Sequence, residues 1–237
     1  MPTLTGLRWF AALAVFGYHS VVLLGGTAES GMRTLFDHGR VGVSFFFVLS
    51  GFIVTWAWRQ DDGAWPFLRR RLARIYPAYL VALIAAVVLL KLTATDQSPK
   101  ALLADLFLVQ SWVPQRSVFF SGNDVGWSLS CEAFFYAAFP LLLVGLRRLT
   151  NTARRVLQVA IVTGIVIIAV WAAVFMPDDY FGVGGPAVFV AYIFPPVRAL
   201  EFVLGMTIAL DVRAGRRAPL RWRAAVMLTV VALAVNR

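Results

Sequence analysis

Residues 4–20, LTGLRWFAALAVFGYHS, decide the fold: this apolar run has the composition of a membrane-spanning helix, yet it contains Arg8 and His19. The two positions are eleven residues apart, so in a helix both side chains project from one face, roughly 16 Å apart along the axis. An ionisable residue inside a span is energetically costly and by default indicates function. The alternative interpretation is that Arg8 reaches the headgroups and His19 is a packed, hydrogen-bonded interior residue.

The composition of the chain indicates a lipid environment. Hydrophobic residues make up 60% of the sequence and charged residues 14%, with a mean hydropathy of +0.76, whereas soluble domains carry about 25% charged residues. The formal net charge of +10 comes mainly from arginines clustered between apolar runs, so the expected partner is the bilayer and not nucleic acid. The single cysteine, Cys131, excludes an internal disulfide and a multi-cysteine metal site, and no metal is expected.

Hydropathy predicts an all-α bundle of transmembrane helices that forms one integral membrane domain over residues 1–237. Six spans and part of a seventh are predicted, at residues 4–24, 41–58, 75–92, 127–146, 156–176, 188–210 and, for the partial one, 224–235. A basic cluster follows each even-numbered span. The positive-inside rule therefore places the N-terminus and these basic loops in the cytoplasm of a multi-pass protein of the plasma (inner) membrane.

Three local features qualify this pattern of spans. The small residues Ser50 and Gly51 follow three phenylalanines, and they predict a close crossing with another helix. The apolar patch at residues 101–109 is too short to cross the bilayer and is interpreted as a re-entrant or interfacial segment. Pro195 and Pro196 interrupt the sixth span, and such a break is tolerated only against protein or a water-lined cavity.

Five motifs occur in a fixed order along nearly the whole chain. They are LTGLR running to YH at residues 4–19, GVSFFFVLSGF at 42–52, RRLARIYPAY at 70–79, WSLSCEAFFY at 127–136 and RALEFVLG at 198–205. Together they resemble the acyltransferase 3 family of integral membrane acyltransferases. Two positions depart from the family pattern: Ser44 stands where many members have an acidic residue, and Ala133 replaces a second acidic or polar residue beside Glu132. The resemblance implies about ten spans, so the chain is expected to be the truncated N-terminal part of the family domain.

The resemblance implies an O-acyltransferase that moves an acyl group, commonly acetyl, from cytoplasmic acyl-coenzyme A. The acceptor would be a hydroxyl of a saccharide, a lipid-linked glycan or a glycosylated natural product. Arg8, Arg71 and Arg74 are the predicted ligands of the donor, because guanidinium groups bind phosphate in a fixed fork and do not deprotonate. The alternative is that these arginines only anchor the helix ends, which we favour for Arg69 and Arg70.

His19 is the predicted general base, because its unperturbed pKa lies near neutrality and it would lie about 22 Å deep, on the acceptor side, with Arg8 about 6 Å deep. It would take the proton of the acceptor hydroxyl, and a transient acyl-histidine is the alternative route. Glu132 is predicted to orient and stabilise the charged imidazole. Arg198 and Glu201 are predicted to form a buried ion pair at the broken helix, or else to contact substrate.

Two other classes of protein fit part of the sequence. A proton-coupled transporter or flippase would also use a broken helix, an intramembrane arginine and a relay between histidine and glutamate. The break at Pro195 has no evident partner in the other half of the chain, which argues against the inverted repeats of such transporters. A non-catalytic sensory membrane protein has no reason to place Arg8 and His19 on one helix face.

Overall fold

The structure, a computed structural model, describes residues 2–24, 39, 41–59, 62–93, 97–176 and 185–216, with the side chains of residues 2–5, 7, 8 and 22–24 outside the description. All regular structure in these residues is helical. The α-helices are α1 (Pro2–Leu24), α2 (Val41–Ala57), α3 (Ala64–Leu92), α4 (Pro99–Leu106), α5 (Arg116–Phe119), α6 (Trp127–Arg148), α7 (Asn151–Phe175) and α8 (Pro195–Arg213). A 3₁₀ turn at Gln110–Trp112 precedes α5, and a helical turn at Pro186–Val188 and a π-helical turn at Phe189–Ile193 precede α8.

Within the described residues, four helical segments are long and apolar enough to cross a bilayer, namely α3, α6, α7 and Pro186–Arg213. The first and second predicted spans coincide with α1 and with α2, and α2 is 17 residues long, at the short end of the range for a spanning helix. The described residues thus confirm an all-helical, multi-pass protein. The number of six to seven spans stays a prediction, and residues 224–235 lie outside the described residues.

The start of the third predicted span is wrong by eleven residues. Hydropathy placed the basic block in a loop that ends at residue 74, whereas α3 begins at Ala64, after the extended Gly63, and carries the arginines on its own first turns. Arginine is a good helix former, and its long stem carries the charge away from the helix axis to the headgroup level. Hydropathy therefore marks where charge ends and not where the helix begins. As a consequence, Arg71 and Arg74 share a helix face.

The chain divides into two compact units, which are described separately. The first consists of Met1–Trp56 with Gly205–Arg237. Two glycines make its close helix contacts: a Cβ on Gly42 would lie 2.8 Å from Val15 Cγ2, and a Cβ on Gly205 would lie within 2 Å of the carbonyl oxygen of Val48. Ser50 and Gly51 are both buried next to this second contact. The close crossing predicted at Ser50 and Gly51 is therefore confirmed.

Adding one methyl group at this crossing is expected to destabilise the protein. In Gly205→Ala the new Cβ would overlap the backbone of α2, which can yield only by moving the helices apart, so we expect a loss of at least about 1–3 kcal/mol. Gly145→Ala is the matched control, because a Cβ there meets nothing within 4 Å and alanine favours the helix. Thermal unfolding in detergent measures the stability of both variants. A Gly205→Ala protein with the same melting temperature as the wild type would contradict the close crossing.

The second unit, Ala57–Leu204, is built on α6. Phe135 and Phe139 of α6 are fully buried against Phe202 of α8: Phe135 stacks on its ring at a centroid distance of 5.0 Å, and Phe139 meets it edge to face at 6.3 Å. Phe67 of α3 contacts the same helix, with its ring centroid 5.0 Å from that of Phe139. This aromatic core fixes α3, α6 and the start of α8 relative to one another, and these three helices carry five of the predicted site residues.

Candidate functional site

His19 is a half-buried residue of α1 in the first unit. Its Nδ1 lies 2.8 Å from the carbonyl oxygen of Val15, and its ring meets that of Tyr18 edge to face at 5.3 Å. A carbonyl oxygen can only accept a hydrogen bond, so Nδ1 carries a proton and, in neutral imidazole, Nε2 has the lone pair. Among the described residues the ring has this one hydrogen-bond partner, so the packing interpretation accounts for Nδ1. The other nitrogen is the one that can accept a proton from a substrate.

Arg8 lies in the same helix, and α1 is continuous from Pro2 to Leu24. Helix geometry therefore places Arg8 and His19 on one face about three turns apart, as the sequence predicts. The side chain of Arg8 lies outside the described residues, so its role toward the donor stays a prediction.

Arg71 and Glu132 come together in the second unit through Tyr136, a residue to which the sequence analysis gave no role. The Arg71 guanidinium carbon lies 5.5 Å from the ring centre of Phe67 and 5.9 Å from that of Tyr136. The Tyr136 hydroxyl donates to Glu132 Oε2 at 3.3 Å. Cation–π contacts with two rings hold a planar cation in a fixed orientation. The signal in the sequence was the i, i+4 spacing of Glu132 and Tyr136 on one helix face.

The other arginines of α3 are more exposed than Arg71. Arg69, Arg70 and Arg74 are all exposed, and Arg70 Nη2 forms an ion pair with Asp62 Oδ1 at 2.6 Å. This hydrogen bond from Arg70 lowers the pKa of the Asp62 carboxyl below its usual value. The pairing suits the anchoring role favoured for Arg70. Arg71 and Arg74 therefore differ in environment, one packed on aromatic rings and the other open to solvent or headgroups.

Arg198 and Glu201 form the predicted ion pair at the start of α8. Arg198 Nη2 lies 3.0 Å from Glu201 Oε2, and the two side chains are only 6% and 8% exposed. The guanidinium also lies over the ring of Tyr192, 4.9 Å from its centre, on the π-helical turn before the break. The Cys131 thiol donates to the carbonyl oxygen of Ile193 at 3.3 Å. The carbonyl oxygen of Ile193, next to the break, therefore has a hydrogen-bond partner within the protein, as a polar group at membrane depth requires.

Asp105 is a buried carboxylate within the segment at residues 101–109, for which the sequence pattern predicts an apolar patch. It lies in α4, 1% exposed, and its Oδ2 accepts a hydrogen bond from Ser121 Oγ at 2.7 Å. Gly122 follows Ser121 and has a φ of +55°. A Cβ at Gly122 would lie 2.8 Å from Asp105 Oδ2, so glycine is needed for the close approach of the backbone to this oxygen. Burial raises the pKa of the Asp105 carboxyl to about 7, and the Ser121 hydrogen bond lowers it in part. In the sequence, this buried carboxylate is marked by being a single charged residue inside an apolar segment.

The raised pKa makes stability depend on pH with a defined sign. Between pH 3.8, the ordinary value, and about 7 the unfolded chain loses the Asp105 proton while the folded protein keeps it, so stability falls as pH rises through this window. Asp105→Asn is expected to remove that fall, because the amide is neutral at every pH and its oxygen still accepts from Ser121. Melting temperatures between pH 4 and 8 measure it. Asp62→Asn is the control, and an unchanged pH profile in Asp105→Asn would contradict the assignment.

The geometry defines a multi-pass helical membrane protein that holds a base-competent histidine, an arginine packed on aromatic rings and a buried ion pair within its apolar helices. The chain belongs to the acyltransferase 3 family. The sequence model of this family, described as an acyltransferase domain, matches residues 1–236. The resemblance drawn from the five motifs is thereby confirmed.

Relatives of known name agree with this class. The chain is 38% identical to acyltransferase MdmB of Streptomyces mycarofaciens over 226 residues, which cover 91% of this chain and 58% of that protein. It is 30% identical to O-acetyltransferase OatA of Staphylococcus aureus (strain NCTC 8325 / PS 47) over 159 residues, 60% of this chain and 24% of that protein. It is 27% identical to peptidoglycan O-acetyltransferase OatA of Listeria monocytogenes over 196 residues, 73% of this chain and 29% of that protein. The chain therefore spans 58% of the length of MdmB and less than a third of either OatA. No solved structure matches it.

Proposed function

We propose that the protein is an O-acyltransferase that moves an acyl group, in the first place acetyl, from cytoplasmic acyl-coenzyme A to a hydroxyl of a carbohydrate or glycosylated acceptor. The observation that carries the proposal is the hydrogen bond from His19 Nδ1 to the Val15 carbonyl, because it reserves Nε2 for proton transfer. Membership of the acyltransferase 3 family supports the reaction class. A relative named as a peptidoglycan O-acetyltransferase supports a carbohydrate acceptor.

The proposed step is a proton-coupled acyl transfer. His19 Nε2 takes the proton of the acceptor hydroxyl while its oxygen attacks the thioester carbonyl, a carbon–oxygen bond forms and the carbon–sulfur bond breaks. The proton on the imidazole then passes to the coenzyme A thiolate, so that the ester and free thiol are the products. An acyl-histidine intermediate would use the same nitrogen as nucleophile. Glu132 is proposed to stabilise the charged imidazole, with Tyr136 fixing one of its carboxylate oxygens.

The donor is proposed to bind through Arg71 and Arg74 of α3, together with Arg8. Arg71 is held on the rings of Phe67 and Tyr136, which limits its motion, and a guanidinium group binds phosphate in a fixed fork. The cytoplasmic location of these arginines follows from the positive-inside rule, as does the cytoplasmic N-terminus.

Loss of one donor contact is expected to weaken donor binding and leave the chemical step intact. Arg74→Ala should raise KM for acetyl-coenzyme A about tenfold or more with kcat nearly unchanged, since one charge-assisted hydrogen bond contributes roughly 1.5–3 kcal/mol. Arg70→Ala is the matched control, because Arg70 pairs with Asp62 and should leave KM unchanged. Steady-state kinetics measure both. Equal KM values for the two variants would remove Arg74 from the donor site.

The proposed function is tested most broadly by untargeted mass spectrometry of surface glycans and secreted metabolites. Three strains are compared: one with the gene, one without it, and one that carries His19→Ala. We expect a species heavier by one acyl group only in the first strain, and its mass names the acyl group and the acceptor together. Identical spectra from the first and second strains would overturn the proposal.

A transporter is the second candidate, because a buried ion pair beside a broken helix is also a feature of ion-coupled transport. Transport folds leave the carbonyls of such a break open to the transported ion. In this protein the Ile193 carbonyl already accepts the Cys131 thiol, which favours a structural break. Uptake or release of substrate without consumption of a thioester would favour the transporter.

A further inference from the structure

An apolar groove runs between α3 and α6 in the second unit, and no part of the proposed acyl transfer uses it. Its volume is about 570 Å³, within the range of about 300–1,000 Å³ typical of small-molecule sites. One wall is a face of α3 from Trp65 to Pro77 at helical spacing. The other wall is Ala133 and Ala137 of α6, and residues 106–108 at the end of α4 close one side. We call it the α3–α6 groove.

The groove exists because α6 presents small side chains where α3 presents large ones. Ala133 and Ala137 are one turn apart on α6, and the hydroxyl of Tyr76 of α3 donates a hydrogen bond to the carbonyl oxygen of Leu106 at the end of α4, 2.9 Å long. Packing alone would close such a space, since voids in protein interiors are rare and costly. An open apolar groove on a membrane helix therefore calls for an occupant.

The length and the apolar lining of the groove fit a single hydrocarbon chain. From Trp65 to Pro77 the groove extends roughly 18 Å at 1.5 Å per residue, a little more than one leaflet of a hydrocarbon core of about 30 Å. A groove of this length and lining can take one hydrocarbon tail inserted along the bilayer normal.

One end of the groove carries a positive charge. Among the described residues that line the groove, Arg69 is the single charged one; it is exposed, and Trp65 lies one turn before it on the same face. Tryptophan prefers the headgroup level of a membrane, and a basic pocket between membrane helices favours anionic lipid headgroups. A neutral lipid would fill the apolar part but would leave Arg69 without a counter-charge.

We propose that the α3–α6 groove is a binding site for one anionic phospholipid, with an acyl tail along α3 and the headgroup phosphate at Arg69. This site is independent of the acyl-transfer proposal, because neither His19 nor the donor arginines line it. A lipid held there would brace α3 against α6, the two helices that carry Arg71 and Glu132.

The test is native mass spectrometry of the purified protein in detergent, supplied in turn with phosphatidylglycerol and phosphatidylcholine of identical acyl chains. We expect phosphatidylglycerol to be retained about fivefold more than phosphatidylcholine, since one basic side chain near the membrane surface favours an anionic lipid by about that factor. Arg69→Gln should remove this preference. Arg148→Gln is the matched control, because it removes an exposed arginine at the end of α6, outside the groove.

A second pair of variants tests the apolar part of the site. Ala137→Leu fills the groove and should abolish retention of both lipids, whereas Ala160→Leu, at an exposed position of α7, should retain them as the wild type does. Thermal unfolding without added lipid checks that each variant is folded. If Ala137→Leu is not folded, Ala73→Leu is used in its place, because it fills the same space from α3. Equal retention of the two lipids, no retention of either, or wild-type behaviour in Arg69→Gln would each overturn the proposal.

Discussion

His19→Ala is expected to lower the acyl-transfer rate by a factor of about 10² to 10⁴, the usual effect of losing a general base. The amount of folded protein and the affinity for acetyl-coenzyme A should not change, because the imidazole makes its hydrogen bond within its own helix and, in the proposed mechanism, acts on the acceptor and not on the donor. If the acyl group passes through an acyl-histidine, the loss is larger. Initial rates of thiol release and equilibrium binding of the donor measure the two effects separately.

Ser20→Ala is the matched control for this variant. Ser20 is the next residue in α1, and its hydroxyl donates to the carbonyl oxygen four residues earlier, as His19 does with its ring nitrogen. Removing it tests whether loss of such a local hydrogen bond alone lowers activity. We expect nearly wild-type rates in Ser20→Ala. Near-normal turnover in His19→Ala would refute the general-base assignment.

Removal of one partner of the buried ion pair is the second change with a large expected effect. Arg198→Met should destabilise the protein by about 3–5 kcal/mol, because it leaves the Glu201 carboxylate buried without its counter-charge. The double variant Arg198→Met with Glu201→Met should recover most of that loss, since apolar residues of similar volume often replace a buried pair without penalty. Thermal unfolding of the single and double variants measures the coupling.

Two comparisons separate a structural pair from a substrate contact. Arg216 and Asp211 form a more exposed pair, 2.9 Å long, and Arg216→Met should change stability by less than about 1 kcal/mol. If Arg198 and Glu201 only hold the start of α8, the double variant also keeps its acyl-transfer activity. A double variant as unstable as the single one would contradict the structural role. A stable but inactive one would show that the pair contacts substrate.

Residue pattern alone predicted the helices whose apolar runs are bounded by polar residues. The fourth predicted span begins at Trp127, where α6 begins, and the break before Pro195 lies where two prolines forbid a continuous helix. The start of α3 was wrong because hydropathy reads side-chain charge, and the arginines of Arg69–Arg74 are charged but helix-forming. Hydropathy identifies what can enter lipid, and backbone propensity decides where the helix starts.

The residues of the candidate site were predicted from the sequence only in part. His19, Arg198 and Glu201 were identifiable because an ionisable residue inside an apolar run is rarely accidental. Tyr136 is marked only by its spacing of four residues from Glu132 on one helix face, and a tyrosine in an aromatic run looks like packing until its hydroxyl is seen 3.3 Å from Glu132. The buried state of Asp105 depends on Ser121 and Gly122, sixteen and seventeen residues later in the chain. The contacts of Asp105 depend on tertiary packing, which spacing along one helix cannot predict.

The central claim is that this protein takes its acyl group from coenzyme A, and one measurement tests it directly. Purified protein is mixed with acetyl-coenzyme A labelled with ¹³C in the acetyl group and with a panel of glycan and glycoside acceptors, and free thiol and labelled ester are measured together. The account predicts equal amounts of thiol and labelled ester with the wild type, and neither product above background with His19→Ala. Wild-type protein that binds an acceptor yet never consumes the thioester would contradict it.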